Sequence, residues 1–539
     1  MASNQNKLDV AIHPLESQEG VLVKVTPPKE PAHLYTTHVP CDIVLVLDVS
    51  GSMDELAPII NPGERDENPG CTVLDIVKHA ALTILHTLDE TDRLGLVVFS
   101  SEARGLQQLV PMDEENKKEA DKIIRGLRTG GGTDLWQGLE KGLGLFSPDP
   151  NPGKTPALML LTDGLPNQGA PAQGYAEALR ARGSLPATIQ TFGFGPQIMS
   201  GLLSTMAEIG GGCFGFIPHS NMVPLKIRKC TVIVNAVAHL QSTFAADRRL
   251  HLTARPSTAS LSTEQRMETH PDQGWQEGST HLTVRLGNIQ YGQTRDIYVR
   301  FAGEVGSDST IYAQLVYSNV DGAHQFLRRK VPVTQASTIT NKEMAFHENR
   351  SWICRSILEL FARDERGFPT DSHASFDRVA WFARLVEDLT VKDHNDKCNR
   401  ALDEQVEGLI RQAAHADGSE WKRWGKHYLL GVWAAHAKQL QTTFLDPGVQ
   451  AYDAESPLFT KCRDRLAKAF EEEVVPPTPS RPADADPAYS SGSATLSMES
   501  YNSRSLMRSH NAYSSPGVSR DRKRGEVLDL DLDLDDFYF

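Results

Sequence analysis

Apolar runs and helical stripes alternate through the first 225 residues of the chain. Runs such as 43–47 and 158–161 are apolar without interruption, which is typical of strands that are buried on both faces. The predicted strands are 43–48, 94–101, 105–110, 157–162, 188–193 and 213–217, and the predicted helices are 72–88, 114–127, 135–146, 173–182 and 200–209. This succession predicts an α/β domain over residues 41–225, with a doubly wound, mainly parallel six-stranded sheet and helices on both faces.

The period of the pattern changes from residue 229 onward. Apolar and polar residues alternate in four segments that polar turns separate, 250–254, 282–286, 296–301 and 310–316. A period of two predicts strands with one buried face, so residues 229–335 are expected to form an antiparallel β-sandwich. Residues 8–13 and 21–25 alternate in the same way, and we expect the N-terminal residues 1–40 to pair with this sandwich. The α/β domain would then be an insertion between strands of the sandwich.

Helical spacing returns over residues 340–472. Apolar stripes run through 344–362, 376–389, 396–414 and 421–439. The last of them contains a row of large aromatic residues, Trp421, Trp424, Tyr428 and Trp433. Such a row forms either a peptide-binding groove or part of a hydrophobic core. We favour the core, because aromatic side chains at helical spacing bury a large apolar area.

Residues 474–539 have a composition unlike that of the rest of the chain. A Pro-rich start is followed by a tract rich in Ser, Tyr and Asn, which cannot bury a core and is expected to be disordered. Within the last residues, 526–539, Leu and Asp alternate strictly, so an extended chain would carry leucines on one face and carboxylates on the other. This segment either adds a strand to the sheet edge of a partner or stays disordered. A third alternative is that one of its aspartates reaches a metal site in the same or another copy.

Charge and cysteine content exclude several classes of protein. The net charge of −14 over 539 residues disfavours nucleic-acid binding, which needs a concentrated basic face. The N-terminus lacks an apolar segment of secretory type, and no apolar run reaches the length that spans a bilayer. We therefore expect a soluble, cytoplasmic protein, with a nuclear location as the alternative. The seven cysteines include no Cys-x-x-Cys pair, which favours reduced thiols over disulfides or structural zinc.

The candidate chemistry begins where the first buried strand ends. The sequence Asp48-Val49-Ser50-Gly51-Ser52 follows this strand and places one carboxylate and two hydroxyls on a tight loop. Mg²⁺ takes about six oxygen ligands in a near-octahedral arrangement and retains several waters, so a loop of this kind suits it. Because the loop carries few acids, a bound dication would keep positive charge and could accept a carboxylate from a partner.

Two later loops carry the oxygens that the first loop lacks. Thr133 follows three glycines and precedes the predicted helix 135–146, and Asp163 follows the buried strand 157–162. Ligands of an open parallel sheet bind beyond the carboxyl ends of its strands, so the three loops are expected to meet. The sequence therefore predicts one oxygen-lined site at this edge of the sheet.

These three motifs, in this order, resemble the metal-ion-dependent adhesion site of the von Willebrand factor A family. The family uses an Asp-x-Ser-x-Ser loop, a Thr on a second loop and an Asp on a third, and the matching positions here are Asp48, Ser50, Ser52, Thr133 and Asp163. The resemblance implies that Asp48 anchors Mg²⁺ and that both serines coordinate it. Thr133 would join in the ligand-bound state, Asp163 would hold an ordered water, and a Glu or Asp of a protein partner would complete the coordination. Mn²⁺ is an alternative, because hard oxygen sites accept both ions.

The later part of the chain is similar to the region that follows the A domain in a group of intracellular A-domain proteins. This similarity, to the region associated with A domains and hedgehog/intein modules, rests on residues 424–429 and 446–452. Members of that group often carry a RING or U-box ubiquitin-ligase module before the A domain. Only about 40 residues precede the A domain here, and the cysteines and histidines cannot assemble the zinc sites of a RING.

The sequence predicts a binding protein without catalytic activity. It contains no His-Glu-x-x-His motif, and Lys154-Thr155 only imitates the end of a phosphate-binding loop, because Pro148 replaces the first Gly and a strand follows. We expect an intracellular module that binds an acidic side chain of a protein partner through Mg²⁺. One alternative is a ubiquitin-pathway adaptor that lacks its own RING or U-box and has ubiquitin-ligase components as partners. The other is a metal-dependent hydrolase.

Overall fold

The computed structural model describes residues 7–475 and residue 478, with gaps. The residues left out within this range are 18, 33–36, 58–70, 148–152, 219–230, 257–258, 264–280, 304, 320–323, 365–368, 374–376, 390–395, 444–451 and 453–454. The predictions for the tail, including the alternating segment 526–539, therefore lie outside the described residues, as does most of 446–452. In the part of the chain that the structure describes, no helix has the length and apolar character needed to cross a membrane.

The described strands and helices follow the predicted succession of an α/β segment, a β-rich segment and a helical segment. The strands are β1 (Asp9–Pro14), β2 (Gly20–Thr26), β3 (Cys41–Asp48), β4 (Arg93–Phe99), β5 (Ala103–Pro111), β6 (Thr155–Thr162), β7 (Thr188–Phe194), β8 (Gly211–Ile217), β9 (Thr243–Arg255), β10 (Ser260–Ser262), β11 (His281–Arg285), β12 (Ile289–Gln290), β13 (Arg295–Ala302), β14 (Thr310–Asn319), β15 (His324–Pro332), β16 (Phe361–Arg363) and β17 (Pro369–His373). The helices are α1 (Val73–Thr87), α2 (Glu114–Gly126), α3 (Leu135–Leu143), α4 (Tyr175–Ala181), α5 (Ser200–Ile209), α6 (Thr231–Gln241), α7 (Asn341–Leu358), α8 (Arg378–Asp388), α9 (Lys397–Gln405), α10 (Arg411–His415), α11 (Gly418–Glu420), α12 (Lys426–Lys438) and α13 (Pro457–Lys468).

The α/β segment contains a six-stranded sheet with the order β5-β4-β3-β6-β7-β8. All neighbouring strands are parallel except β4 and β5, which confirms the mainly parallel sheet. Every residue of β3 is buried, which explains its unbroken apolar run. Helix α3 packs so closely on the sheet that a Cβ on its Gly142 would lie 2.5 Å from Val46 Cγ2 and 2.8 Å from Leu158 Cδ1. The carboxyl ends of β3, β4 and β6 share one edge of the sheet, and the loops with Asp48 and Asp163 leave from that edge. The loop with Thr133 connects α2 to α3, and hydrogen bonds from Gly130 N–H to the Val49 carbonyl and from Asp134 N–H to the Ser100 carbonyl hold it at the same edge.

Two antiparallel sheets form the β-rich segment. One has the strand order β1-β2-β13-β10, and the other has the order β11-β9-β14-β15, with β12 paired to β9. Strand β2 pairs with β13, so that Val23 lies opposite Ile297, although the whole α/β segment separates them in the sequence. The α/β domain is therefore inserted between strands of the β-sandwich, as the alternating N-terminal segments predicted.

Helix α6 differs from the prediction, which assigned residues 229–335 to the sandwich. Residues 231–241 are helical, and α6 packs against β6, β8 and α13. Ten of its residues, from Val232 to Gln241, are buried, so the helix has no polar face that would reveal its period. The sandwich strands that follow this helix begin with β9.

The segment after β15 is mainly helical but also contains the hairpin of β16 and β17, which the helical pattern did not predict. The aromatic row Trp421, Trp424, Tyr428 and Trp433 is buried, and it packs as core. The carboxylate of Asp371, in the hairpin, accepts hydrogen bonds from the N–H groups of Gly201 and Leu202 over 2.8 and 3.1 Å, at the start of α5. The described residues belong to one compact unit that spans Met1–Ser480.

Six of the cysteines lie in the described part of the chain, and none of them forms a disulfide with another. Cys398 is exposed, and the five buried ones are Cys41, Cys71, Cys213, Cys354 and Cys462. Burial raises the pKa of the Cys41 and Cys213 thiols, so both are protonated and unreactive at neutral pH.

Candidate metal centre

Asp48 is held at the carboxyl end of β3 by hydrogen bonds to both of its carboxylate oxygens. The backbone N–H of Ser50 donates to Oδ1 over 2.8 Å, and the hydroxyl of Thr162 donates to Oδ2 over 2.5 Å. The side chain is completely buried. Because Thr162 ends the neighbouring strand β6, the sheet itself determines where this carboxylate lies.

The two serines of the first loop connect Asp48 to Asp163. A 3-10 turn, Gly51–Asp54, follows Ser50. It brings Ser50 Oγ and Ser52 Oγ to 3.1 Å from each other, and the Ser52 hydroxyl donates to Asp163 Oδ1 over 2.7 Å. Four of the five predicted residues thus form one connected group of oxygens.

Thr133 approaches this group from a separate loop. The N–H of Gly51 donates to the carbonyl of Gly131 over 3.2 Å, which holds the first and second loops together. Asn167, beyond Asp163 in the third loop, accepts from the Thr133 N–H over 2.9 Å and donates its own N–H to the Thr133 carbonyl over 3.1 Å. Gly131 has a φ of +84°, a conformation that glycine adopts without strain, so the turn before Thr133 requires a glycine.

Gly164 shows how closely the three loops approach one another. A Cβ at this position would lie 3.2 Å from Ser52 Oγ, 3.5 Å from Thr133 Oγ1 and 3.9 Å from Asp48 Oδ2. Two hydroxyl oxygens and one carboxylate oxygen, from two different loops, therefore lie within 4 Å of one point beside the third loop. The structure brings together all five residues that the sequence singled out.

The two carboxylates of the site are buried close to each other. Burial raises the pKa of Asp48, and the hydrogen bonds from Ser50 and Thr162 offset part of this rise. Burial also raises the pKa of Asp163 well above its usual range, and the charge of Asp48 adds to the effect. No Lys or Arg among the described residues offsets either charge. Oxygen ligands and uncompensated negative charge are what a hard divalent cation requires, so the residues fit Mg²⁺ or Mn²⁺.

Sequence reasoning missed three side chains that position the site. Thr162 binds Asp48, Asn167 binds Thr133, and the Ser101 hydroxyl accepts from the N–H of Gly132 over 2.8 Å. Thr162 and Ser101 lie at the carboxyl ends of β6 and β4, so the rule that identified Asp163 could also have found them. Asn167 lies deeper in its loop, and only the folded arrangement reveals its role.

A second group of polar side chains lies at the opposite end of the sheet, where β3 and β4 begin. His38 Nε2 and Asp92 Oδ2 are 2.8 Å apart, and His38 Nδ1 lies 4.0 Å from Asp89 Oδ2. The Asp92 carboxylate also accepts from the N–H groups of Cys41 and Asp89, over 2.8 and 3.0 Å. Because these protein donors use both oxygens of Asp92, we assign the group a structural role at the entry to β3.

Comparisons with known proteins identify two regions of the chain. Residues 43–165 match the model of the von Willebrand factor type A domain, and residues 383–468 match the model described as VWA / Hh protein intein-like. Among solved structures, a von Willebrand factor type A protein from Catenulispora acidiphila aligns with a TM-score of 0.52 at 18% identity, over 75% of this chain and 91% of that chain. At this identity the similarity establishes the fold.

Curated relatives match shorter stretches. The chain is 27% identical over 261 residues to an uncharacterized protein of Synechocystis sp., which is 48% of this chain and 56% of that protein. It is 28% identical over 187 residues to an inter-alpha-trypsin inhibitor heavy chain of Homo sapiens, or 33% of this chain and 18% of that protein. It is also 28% identical over 152 residues to the E3 ubiquitin-protein ligase WAV3 of Arabidopsis thaliana, or 28% of this chain and 17% of that protein. The chain thus spans about half of the first relative and less than a fifth of the other two.

Proposed function

We propose that this chain, which carries a von Willebrand factor type A domain, binds a protein partner through a divalent cation at the carboxyl ends of β3 and β6. The observation that carries the proposal is the convergence of oxygens from Asp48, Ser52 and Thr133 beside Gly164. The residues that would hold the ion, directly or through water, are Asp48, Ser50, Ser52, Thr133 and Asp163. We assign Mg²⁺ to the site, with Mn²⁺ as the alternative.

The bound ion would supply a positive centre that accepts a carboxylate from the partner. The protein's part is to hold the donor oxygens in place and to present a surface around them. Leu165, next to Gly164, is 43% exposed although its side chain is large and apolar. An exposed leucine at the rim of a polar site suits an apolar residue that neighbours the partner's Glu or Asp.

The experiment that tests this function is affinity purification from cell extract, followed by mass spectrometry of the retained proteins. The wild type and Ser50→Ala/Ser52→Ala are compared, each with Mg²⁺ or with EDTA. We expect a set of partners that both the substitution and the chelator remove. The matched control is Ser147→Ala/Ser184→Ala, which changes two exposed serines away from the site and should retain the partners. A partner list that neither mutation nor EDTA changes would contradict the proposal.

Binding of the ion itself can be measured without a partner. Calorimetric titration of the purified chain with MgCl₂ or MnCl₂ should give heat in the wild type and in the control. Ser50→Ala/Ser52→Ala should give little, because two of the proposed ligands are gone. This measurement separates a site that binds no ion from one that binds an ion but no acidic partner.

A second candidate function is that of an adaptor in the ubiquitin pathway. The observation that favours it is the similarity to two plant proteins named E3 ubiquitin-protein ligases, together with the match of residues 383–468. In this case ubiquitin-ligase components would appear among the retained proteins, and they would remain when Ser50 and Ser52 are replaced. If no ubiquitin-ligase component were present in the purified complexes, the adaptor function would be contradicted. Catalytic turnover that Asp48→Ala abolishes would favour a metal-dependent hydrolase instead.

A further inference from the structure

Strand β15 is the outermost strand of the sheet β11-β9-β14-β15. It pairs with β14, so that Leu327 lies opposite Leu315 and Lys330 lies opposite Tyr312. Within the described residues, no strand pairs with its other side. An outer strand of this kind presents backbone N–H and C=O groups that can receive a further strand.

The two faces of β15 carry different side chains. Phe326, Arg328 and Lys330 share the outer face and are exposed, Phe326 by 67%. Leu327 and Val331 share the inner face, where they pack against the core but remain half-buried. The strand therefore presents cations and an aromatic ring on one face, and on the other it presents two half-buried apolar side chains on either side of Arg329.

The cations of β15 contrast with the acidic character of the chain, which has a net charge of −14. Among the described residues, no carboxylate forms an ion pair with Arg328 or Lys330. Arg329, between them on the inner face, lies 2.8 Å from Asp9 of β1, which shows that this edge already pairs with one carboxylate of a neighbouring strand. Basic side chains on an edge strand repel other basic strands, whereas they attract an acidic one.

We propose that the free edge of β15 binds an extended acidic strand in which apolar residues and carboxylates alternate. Successive side chains of a strand point to opposite faces, so the carboxylates would lie beside Arg328 and Lys330, and the apolar residues would cover Leu327 and Val331. A wholly acidic segment would match the outer face alone, and a wholly apolar one would match the inner face alone. The partner is a protein segment, because only a polypeptide backbone can continue the hydrogen-bonded sheet.

The sequence of this chain itself provides a probe of the required chemistry. Leu and Asp alternate without a break over residues 528–535. A labelled synthetic peptide with the sequence of residues 526–539 can therefore be titrated with the protein and followed by fluorescence anisotropy. The protein used ends at Gly525, which retains every described residue and removes the competing copy of the same sequence.

Charge reversal at the edge tests the outer face. Arg328→Glu/Lys330→Glu is expected to bind the peptide at least about tenfold more weakly, because two attractive cross-strand pairs become repulsive. Lys118→Glu/Lys122→Glu makes the same change of charge on exposed residues of α2 and should bind like the wild type. A peptide with Lys in place of each Asp should bind the β15 variant better than it binds the wild type, which also shows that the variant is folded.

The order of residues in the peptide tests whether the peptide binds as an added strand. A peptide of the same composition, with its leucines and aspartates in separate blocks, keeps the charge but loses the two-faced pattern, and it should bind at least about tenfold more weakly. Equal binding of both peptides would overturn the added strand, and equal binding by both charge variants would overturn the site. No binding of the alternating peptide to the wild type would overturn the proposal as a whole. Ser50→Ala/Ser52→Ala should leave peptide binding unchanged. The experiment can therefore contradict this proposal without contradicting the metal-dependent function, and the reverse also holds.

Discussion

Replacing Gly164 with Ala perturbs the proposed metal site without removing any of its ligands. Gly164 is buried, and its φ lies outside the left-handed region, so an alanine there adopts the same backbone without strain. The added methyl carbon would lie 3.2 Å from Ser52 Oγ and 3.5 Å from Thr133 Oγ1, in the space that these oxygens share. The substitution therefore acts on the space between the loops and leaves the oxygens themselves in place.

The size of the effect follows from these distances. Mg²⁺ lies about 2.1 Å from its oxygen ligands and keeps several waters, so a methyl group among the ligand oxygens takes up room that the ion and its waters need. We expect the affinity for Mg²⁺ to fall at least about tenfold, which corresponds to about 1.4 kcal/mol. Without the ion, Ser52 Oγ is the one atom among the three nearest that lies closer than 3.4 Å to the methyl carbon, and a shift of a few tenths of an ångström relieves this contact. The free energy of unfolding in EDTA should therefore change by about 1 kcal/mol or less.

Urea unfolding in EDTA and in Mg²⁺ separates binding from folding. At a concentration of about 100 times the wild-type dissociation constant, the ion should stabilise the wild type by about 2.7 kcal/mol and Gly164→Ala by about 1.4 kcal/mol or less. The control is Gly126→Ala at the end of α2, where an added Cβ would have no neighbour within 4 Å. Mg²⁺ should stabilise this variant as much as it stabilises the wild type. If Mg²⁺ stabilised Gly164→Ala as much as the wild type, the proposal that the ion binds between these loops would be refuted. A loss of several kcal/mol in EDTA would show that the methyl acts on folding instead.

Three further predictions concern contacts that join the parts of the chain. Lys438→Met removes the cation that lies 2.7 Å from the buried Glu208 carboxylate, and urea unfolding should show a loss of about 3–5 kcal/mol that the added Glu208→Gln partly restores. Asp371→Ala removes the acceptor at the start of α5 and should lower the free energy of unfolding by about 1 kcal/mol, whereas Asp371→Asn should lose less. Burial lowers the pKa of His347 to about 3, so the unfolded chain takes up a proton that the folded chain excludes. This residue should make stability fall as the pH drops from about 6.5 toward 3, and His347→Gln should flatten the dependence of the urea midpoint between pH 6.5 and 5.

The predictions from sequence succeeded where a local pattern has one structural meaning. The unbroken apolar run of β3 lies in a sheet that is covered on both faces, and the alternation in β14 places Ile311, Ala313 and Leu315 on its one buried face. The meeting of Asp48 and Asp163 followed from topology, because parallel strands end at a common edge. Helix α6 was not recognised, because it is buried on nearly all sides and shows no periodic polar face.

Other features depend on neighbours that are distant in the sequence. The hairpin of β16 and β17 contacts α5, and its Asp371 accepts from the N–H groups of Gly201 and Leu202. The position of Thr133 depends on Asn167, and the local sequence around Asn167 carries no sign of that contact. Such contacts depend on how helices, strands and loops pack against one another. The spacing of residues within one element does not predict them.

The sequence by itself determined which segments become strands and helices in most of the chain, and which oxygen-bearing residues end the central strands. It did so because burial on one face or two imposes a period on the residues of a single element. Only the tertiary structure decided that oxygens of Asp48, Ser52 and Thr133 lie within 4 Å of the place where a Cβ at position 164 would be. It also decided that β15 is the outer strand of its sheet. A distance between loops and a free sheet edge are properties of the neighbours of a segment, and those neighbours come from remote parts of the chain.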